Sequence, residues 1–284
     1  MENPLAKLVP QFFGDYPKQF LELYNQVYVP PELNKNDIKN NLWKAFEFGS
    51  RYHEGQKRKS GEPYFNHCVE VAITLAGWNM DYTTIMAGLL HDVVEDTNIT
   101  LRDIEREFNK DLANLVDGLT KIGGIEFGTR KEKQAGNFMK MLLSVAKDIR
   151  VIIIKFADRM HNMKTITHMP RMKQRRIAIE TRDVYSPLAH RLGMASVKSK
   201  LDDLAFQVLN KNEYDSIASK LKTTNKQRKK LINSYIDPIS NGLEKYKMDC
   251  NIFGRSKSFF SIYGKMLNRN KAFEDIYDLS LIHI

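Results

Sequence analysis

The most chemically suggestive stretch of this sequence runs from residue 89 to residue 96 and reads LLHDVVED. His91 and Asp92 are adjacent, and Glu95 and Asp96 follow one turn later if the stretch is a single helix. The four polar side chains would then fall within an arc of about 140°, opposite an apolar stripe that can pack on a core. An imidazole and a carboxylate can hold a divalent cation, and the two later carboxylates suit a general acid/base pair. A solvated helix face explains so short a pattern equally well, so ligands elsewhere must decide.

The second informative stretch runs from residue 151 to residue 165 and begins with an apolar run. The run alone is compatible with a strand, but Asp158, Asn162 and Thr165 recur at i, i+4 and i+7, which favours a helix. A carboxylate that follows a buried run is costly to place unless it is paired or bound to a metal. Asp158 is therefore the preferred ligand, and His161, about 60° away on an ideal helix, stays open as another.

A loop is predicted between residues 53 and 64, because this stretch contains two glycines and a proline. Its cations Lys57, Arg58 and Lys59 can bind phosphates, and Arg58 can also stack on a base. A solvated basic loop would explain the same residues. His67 lies near the start of the helix that follows, where a single histidine is more often a structural hydrogen bonder than a ligand.

The composition is that of an ordinary soluble protein with an anionic partner. The chain has 284 residues, 42% hydrophobic and 27% charged, with a net charge of +10. Nucleotides, nucleic acid, ribosomes and membrane surfaces all suit that charge, but the basic stretches lack the interleaved aromatic residues that bind single strands. There is no apolar run of about 18 residues and no signal pattern, and Cys68 and Cys250 form no CxxC unit. We expect a cytoplasmic protein without disulfides.

The rest of the chain is predicted to be mostly helical. Asp37 and Thr100 are the expected N-caps of two helices. Five glycines between Gly118 and Gly136 indicate a loop, followed by a helix from Asn137 to Asp148. Residues 186–193 are expected to separate two helices, residues 253–257 to form a Gly/basic turn, and the last residues to begin a strand.

Several of these stretches carry a family resemblance. His67, His91-Asp92 and Asp158, in that order, resemble the H…HD…D metal set of the HD phosphohydrolase superfamily. Four longer motifs resemble the Rel/SpoT alarmone synthetase/hydrolases, and they span residues 58–64, 91–96, 157–163 and 186–193. The resemblance runs from about residue 40 to near the C-terminus.

The resemblance implies an all-α HD-domain helical bundle that uses Mn²⁺ to hydrolyse the 3′-pyrophosphate of (p)ppGpp, a nucleotide of the stringent response. The products would be GDP or GTP and pyrophosphate. The site residues that it implies fall into three groups: metal ligands His67, His91, Asp92 and Asp158; catalytic residues Glu95 and Asp96, which orient or deprotonate the attacking water; and substrate-binding residues Arg58, Lys59, Ser60, Asn162 and Thr165.

The resemblance also suggests a division into domains. Residues 1–200 would form the hydrolase domain, and residues 201–284 a helical connector and the start of an incomplete α/β synthetase-like domain. Residues 253–257 and 274–279 resemble the opening of that domain, but residues 278–283 lack an arginine of the family pattern, and the later acidic metal residues are absent. We expect no synthetase activity, ribosome binding only through regions missing here, and no membrane or DNA partner. The exposed apolar residues Ile276, Leu279 and Leu281 leave a homo-oligomer open.

Two other functions remain as alternatives. An HD phosphohydrolase could act on another nucleotide, although the motif at residues 58–64 argues against this. A catalytically silent regulatory or ribosome-binding fragment is the second alternative. Silent relatives lose the HD or ED residues, and all of these are present here.

Overall fold

The structure, a computed structural model, describes residues 16–123, 147–221, 225–248, 250, 252–275 and 280–283. Most of these residues lie in helices: α1 (Lys18–Tyr24), α2 (Lys35–Tyr52), α3 (Phe65–Ala76), α4 (Tyr82–Leu90), α5 (Val93–Asp96), α6 (Leu101–Glu107), α7 (Lys110–Gly123), α8 (Arg150–Lys164), α9 (Arg171–Glu180), α10 (Ser186–Arg191), α11 (Ala195–Leu209), α12 (Lys211–Lys220), α13 (Asn225–Glu244) and α14 (Phe259–Arg269). Two strands, β1 (Phe253–Ser256) and β2 (Ser280–His283), pair antiparallel. The predicted fold, helical with a short segment containing strands at its end, is confirmed.

The chain divides into two compact units, Met1–Asp158 and Arg159–Ile284. The predicted boundary after residue 200 concerns hydrolase and synthetase-like domains, and it stays a prediction. Across the part of the chain that the structure describes, no helix combines the length and apolar character that crossing a membrane requires. The predicted loop beyond Gly123, most of the helix predicted from Asn137, and the apolar residues Ile276 and Leu279 lie outside the described residues.

Helix α2 begins earlier than its predicted N-cap. Asn34 is the N-cap, because its side-chain oxygen accepts a hydrogen bond from the Asn36 amide at 2.9 Å. Asp37 lies in the first turn instead, where its negative charge favours the helix dipole. The prediction of Asp37 as N-cap was therefore wrong, whereas Thr100 caps α6 as expected, in a capping box with Asp103.

The single helix predicted through residue 96 is interrupted at His91 and Asp92. Helix α4 ends at Leu90, and α5 begins at Val93. The His91 ring accounts for the interruption: its Nδ1 lies 2.9 Å from Gly88 O, the carbonyl that the Asp92 amide would use in a continuous helix. The side chains of His91 and Asp92 are therefore not held to the angular spacing of one helix.

A glycine in α2 allows this helix to pack closely on α4 and on the start of α3. A Cβ atom at Gly49 would lie 2.5 Å from Phe65 Cε2 and 3.1 Å from the backbone oxygen of Leu89. Phe65 and Leu89 each lie two residues before a predicted metal ligand. The close approach at Gly49 thus helps to position both histidines.

Helix α8 is fixed against α7 at its start. Gly118, which was expected in a loop, lies within α7, and a Cβ atom there would lie 2.8 Å from Val151 Cγ2. Arg150 forms ion pairs with Asp111 of α7 at 2.9 Å and with Asp148 at 2.7 Å. The helix predicted for the second informative stretch is confirmed as α8, and these contacts hold its N-terminal end against α7.

In the second unit, the stretch expected to separate two helices is itself helical. A π-helical turn, Thr181–Tyr185, leads directly into α10, which continues to Arg191. The chain turns only around Gly193, whose φ of +73° lies in the left-handed region that glycine tolerates. The prediction placed the turn correctly at its glycine but extended it too far towards the N-terminus.

The Gly/basic turn predicted at residues 253–257 is a strand. Gly254 lies opposite Ile282, and Ser256 lies opposite Ser280. Glycine favours turns in isolation, whereas here the ladder with β2 stabilises an extended backbone. The strand predicted to begin near the last residue is confirmed as β2.

Candidate metal centre

Three separate parts of the first unit bring the four predicted metal ligands together. His67 lies in the first turn of α3, and Asp158 lies on α8, while residues 91 and 92 occupy the break between α4 and α5. His67 Nε2 lies 3.3 Å from Asp158 Oδ1 and 3.7 Å from Asp92 Oδ2. His91 Nε2 lies 3.0 Å from Asp92 Oδ2 and 4.0 Å from Asp158 Oδ1. The four side chains form one cluster.

The cluster is buried and has the spacing of a cation site. The side chains of His67 and His91 are 2% and 0% exposed, and those of Asp92 and Asp158 are 13% and 17% exposed. One ligand atom each from His67, His91 and Asp158 lies within 4.8 Å of the others. The charges of these two partly buried carboxylates act against each other, and positive charge between them relieves that repulsion, so the donor set favours a divalent cation.

His91 provides a direct test of whether the residues fit a metal. Its Nδ1 donates to Gly88 O at 2.9 Å, so the neutral ring carries its lone pair on Nε2. Nε2 is buried and, within the described residues, has no hydrogen-bond partner of acceptable geometry. An unsatisfied buried polar atom costs about 1–3 kcal/mol, which a bound cation would offset. The arrangement therefore fits a divalent metal.

The electrostatics of His67, Asp92 and Asp158 agree with this fit, whereas the raised pKa of His91 means that a cation must displace a proton from its ring. Burial lowers the pKa of His67, which favours its neutral, ligating form. Burial also acts to lower the pKa of His91, but the Asp92 carboxylate outweighs this effect and raises it. Burial acts to raise the pKa values of Asp92 and Asp158. For Asp92 the two histidines, His91 first, together outweigh burial, and for Asp158 the His67 hydrogen bond and the charges of Lys155 and His91 do so, which holds both pKa values below the ordinary range. Both carboxylates are anionic at neutral pH, as metal ligands must be.

Glu95 and Asp96 lie on α5, directly after the break, and both are exposed to solvent. Desolvation raises the pKa of Glu95, the Lys155 ammonium opposes this, and the charge of Asp92 adds to it. A carboxylate with a raised pKa accepts a proton more readily, which suits a general base. The position of both residues beside the cluster supports the catalytic roles predicted for them, which stay predictions.

Tyr64 and Lys155 were not singled out from the sequence, although both belong to the site. The Tyr64 hydroxyl donates to Asp92 Oδ2 at 2.8 Å, and burial beside that carboxylate raises the pKa of the phenol. Lys155 is 8% exposed, and its charge acts on both Glu95 and Asp158. The spacing of Lys155 and Asp158 at i and i+3 on one helix was a signal that could have revealed this pair.

His53 and Gln56 connect the loop before α3 to the turn that carries the acids. The His53 ring stacks on Tyr64, with centroids 5.0 Å apart and an interplanar angle of 24°. His53 Nδ1 lies 2.8 Å from Gln56 Oε1, and Gln56 Nε2 donates to the backbone oxygen of Asp96 at 2.9 Å. Only the three-dimensional structure reveals this chain of contacts, because no sequence pattern marks a glutamine that binds a distant carbonyl.

The predicted loop between residues 53 and 64 is confirmed and is well ordered internally. Lys57 and Pro63 form an isolated bridge, and the Arg58 amide donates to Glu62 O at 2.9 Å. The Arg58 guanidinium carbon lies 5.9 Å from the ring centroid of Tyr64, the residue that donates a hydrogen bond to Asp92. This cation therefore lies near the cluster. Lys59 and Ser60 lie at the loop's turn, where Ser60 Oγ donates to Glu62 Oε2 at 3.4 Å.

The remaining predicted residues belong to the second unit. Asn162 lies one turn after Asp158 on α8, His161 precedes it, and Thr165 follows the end of the helix. Thr165 Oγ1 donates to His161 O at 3.1 Å. The roles predicted for Asn162 and Thr165 in binding substrate stay predictions, as does the alternative of His161 as a ligand.

Comparison with known proteins agrees with the geometry. A family profile described as "HD domain" matches residues 45–195, more than half of the chain. The chain belongs to the HD-domain family. The matched range contains all four residues of the cluster and both acids of α5.

The sequence relatives of this HD-domain chain confirm the Rel/SpoT resemblance. A "Bifunctional (p)ppGpp synthase/hydrolase SpoT" of Escherichia coli K12 is 43% identical over 89% of this chain and 36% of its own length. A "Guanosine-3′,5′-bis(diphosphate) 3′-pyrophosphohydrolase" of Spiroplasma citri is 41% identical over 91% of this chain and 34% of its own length. A "GTP pyrophosphokinase" of Myxococcus xanthus is 40% identical over 96% of this chain and 36% of its own length. The chain thus spans about a third of the length of the curated relatives it matches.

Proposed function

We propose that this chain hydrolyses the 3′-pyrophosphate of (p)ppGpp and releases pyrophosphate, leaving GDP or GTP. The observation that carries the proposal is the buried cluster of His67, His91, Asp92 and Asp158, in which His91 Nε2 has no hydrogen-bond partner within the described residues. Two features add support: relatives with names that specify this reaction, and the acidic turn directly after the cluster.

The cluster would hold one divalent cation, and Mn²⁺ is the proposed ion. Two imidazoles and two carboxylates form a mixed nitrogen and oxygen set that suits Mn²⁺. A cation bound there supplies Lewis-acid activation of water and neutralises charge on the phosphate. The protein's part is to hold the ligands: α3, the break after α4, and α8 each supply at least one.

Glu95 and Asp96 would act on the attacking water. Glu95 has a pKa raised mainly by desolvation, so it can accept the proton that the water loses, while the nearby charge of Lys155 opposes that rise. The backbone of Asp96 is held by Gln56, which fixes the direction of the turn. The two acids would thus orient the water and take its proton.

The cationic loop would bind the substrate. The Arg58 guanidinium can stack on guanine or pair with phosphate oxygens, and Lys59 can neutralise the phosphates, with Ser60 donating a hydrogen bond. Asn162 and Thr165 would line the nucleotide pocket, in line with their roles in the family resemblance. We propose no synthetase activity for this chain, because residues 278–283 lack the arginine of that activity's pattern.

The test is ppGpp turnover by the purified chain with Mn²⁺, after EDTA, and in the double variant Glu95→Gln/Asp96→Asn. We expect pyrophosphate release that needs Mn²⁺ and falls by about 10²–10⁴-fold in the double variant, the usual contribution of general acid–base catalysis. Mn²⁺ binding, followed by electron paramagnetic resonance, should persist in that variant. Glu105→Gln, which removes an exposed acid of α6, is the matched control and should keep full activity.

Two results would contradict the proposal. Bound Mn²⁺ without ppGpp turnover would show that the cluster serves another reaction, and a panel of nucleotides would then identify an HD phosphohydrolase of different specificity. Turnover that survives in the double variant would remove Glu95 and Asp96 from the mechanism.

A further inference from the structure

A second group of possible ligands overlaps the cluster. Cys68 Sγ, a ring nitrogen of His91 and a carboxylate oxygen of Asp92 all lie within 4.8 Å of one another. Cys68 follows His67 on α3, and it is 0% exposed. No sequence pattern indicates a metal role for this cysteine, because it belongs to no CxxC unit.

A buried cysteine alone would be ordinary core packing, and His91 supplies the independent observation. Its ring is 0% exposed, and Nε2, 3.0 Å from Asp92 Oδ2, has no hydrogen-bond partner within the described residues. Because Nδ1 is engaged by Gly88 O, Nε2 is the atom with a lone pair to offer. Nε2 is therefore the nitrogen that either ligand group would use, the one with His67 and Asp158 or the one with Cys68 and Asp92.

The two groups differ in chemical softness. The group of His67, His91 and Asp158 offers nitrogen and oxygen, which suit Mn²⁺, whereas Cys68 adds sulfur, which selects thiophilic cations such as Zn²⁺. Zinc takes thiolate, imidazole and carboxylate together in tetrahedral sites, with bonds of about 2.0–2.3 Å. Ligand atoms within 4.8 Å of one another can reach a common ion at these bond lengths after small side-chain rotations.

We propose that Cys68, His91 and Asp92 form a site for a thiophilic divalent cation, which excludes the hydrolase metal because both need His91 Nε2. On binding, the thiol S–H bond breaks, bonds from sulfur and from His91 Nε2 to the metal form, and the thiol proton and any proton held by Nε2 pass to solvent, so no oxidant or reductant is needed. The site itself stands on geometry alone, while its inhibitory consequence rests on the proposed function. Zinc would then switch off ppGpp hydrolysis by displacing Mn²⁺.

The direct test is the absorption spectrum of the metal-free chain titrated with Co²⁺, which reports a bound thiolate by a charge-transfer band in the near ultraviolet. The chain has two cysteines, and the exposed Cys250 is the matched control. We expect the band in the wild type and in Cys250→Ser, and its loss in Cys68→Ser. The Cys250→Ser chain suffices by itself, because any thiolate band there must come from Cys68, even if Cys68→Ser fails to fold.

A competition experiment tests the overlap. Mn²⁺ bound to the chain is followed by electron paramagnetic resonance while Zn²⁺ is added. Loss of a residue that only hydrogen-bonds to a metal ligand weakens metal binding by about 10–100-fold, so loss of a ligand itself should weaken it at least as much. The Zn²⁺ concentration that displaces Mn²⁺ should therefore rise by at least about tenfold in Cys68→Ser and stay unchanged in Cys250→Ser.

The outcomes separate this inference from the proposed function. Co²⁺ binding without a thiolate band in Cys250→Ser, or equal displacement by Zn²⁺ in both variants, would overturn the thiolate site and leave the hydrolase untouched. Mn²⁺-dependent ppGpp turnover, measured on the same samples, fails only if the proposed function is wrong.

Discussion

At the scale of single residues, the hydrogen bond from Tyr64 to Asp92 shows how the cluster is oriented. The phenol donates to Oδ2 at 2.8 Å, and the stacked His53 ring restricts the movement of the phenol. Such an outer hydrogen bond fixes the direction of a ligand carboxylate before any cation arrives. The energy of ordering Asp92 is thus supplied during folding instead of during metal binding.

Tyr64→Phe should weaken Mn²⁺ binding by about tenfold, because it removes the hydroxyl and keeps the ring that packs on His53. The measurement is a Mn²⁺ titration by electron paramagnetic resonance. Tyr52→Phe is the control, since that ring packs on Phe48 with centroids 4.6 Å apart, and its affinity should match the wild type. An unchanged affinity in Tyr64→Phe would show that Asp92 is oriented without the phenol.

Lys155 lowers the pKa of Glu95, the candidate general base. Its charge lowers the pKa of Glu95 against desolvation, which raises it. Lys155→Gln should therefore raise that pKa further, so the carboxylate forms only at higher pH, and the acid limb of the kcat profile should move upward at saturating Mn²⁺. Lys155→Arg keeps the charge and should leave the limb in place. A limb that does not move in Lys155→Gln would mean that another group than Glu95 titrates there.

The residues of the site were predictable to different degrees, for physical reasons. The residues that form the cluster and the two acids beside it could be named from the sequence because chemistry restricts their residue types and their motifs are contiguous, while their roles stay predictions. Tyr64, Lys155 and Gln56 act through contacts with residues distant in sequence, and many residue types could make such contacts. Cys68 was overlooked because the residues that lie near it, His91 and Asp92, are distant in sequence, in the break between α4 and α5.

At the scale of elements, the packing of α2 against α3 and α4 positions both histidines. The missing Cβ of Gly49 leaves room for Phe65 and for the Leu89 carbonyl, at 2.5 Å and 3.1 Å from where that atom would be. Phe65 is anchored in turn by Phe46, with ring centroids 5.0 Å apart. Any displacement at Gly49 must therefore reach the residues that precede His67 and His91.

Gly49→Ala should destabilise the protein by roughly 1 kcal/mol, because overpacking typically costs about 1–3 kcal/mol and the helix propensity of alanine returns only about 1 kcal/mol. Mn²⁺ affinity should fall as well. Chemical denaturation and the Mn²⁺ titration check the two effects. Gly242→Ala in α13 is the control, because its Cβ would meet no atom within 4 Å, and it should be neutral or stabilising. Equal stability of the two variants would contradict the close-packing argument.

The elements also show where local sequence signals fail. Helix α8 was predictable, because polar residues recur with helical spacing after its apolar run. The break after α4 was not, because it depends on the His91 ring bonding to Gly88 O, a contact that helical periodicity does not encode. The strand β1 was missed because its extended backbone depends on pairing with β2, which follows it only after α14.

At the scale of the whole molecule, a bound cation would connect parts of the first unit that are far apart along the chain. The ligands come from α3, from the break after α4 and from α8. In the unfolded chain these ligands are dispersed, so the cation binds mainly the folded state. Folding and metal binding are then linked.

Mn²⁺ at about 100 times its dissociation constant should therefore stabilise the chain by about 2.7 kcal/mol, a rise in Tm of roughly 5–10 °C that EDTA reverses. Calorimetry with and without Mn²⁺ measures the shift. His91→Ala removes the nitrogen shared by both ligand groups and should abolish the shift, whatever it does to the metal-free Tm. His190→Ala, at an exposed histidine of α10, should keep it. A shift that persists in His91→Ala would place the stabilising cation elsewhere, because a cation bound at the cluster would lose a ligand in that variant.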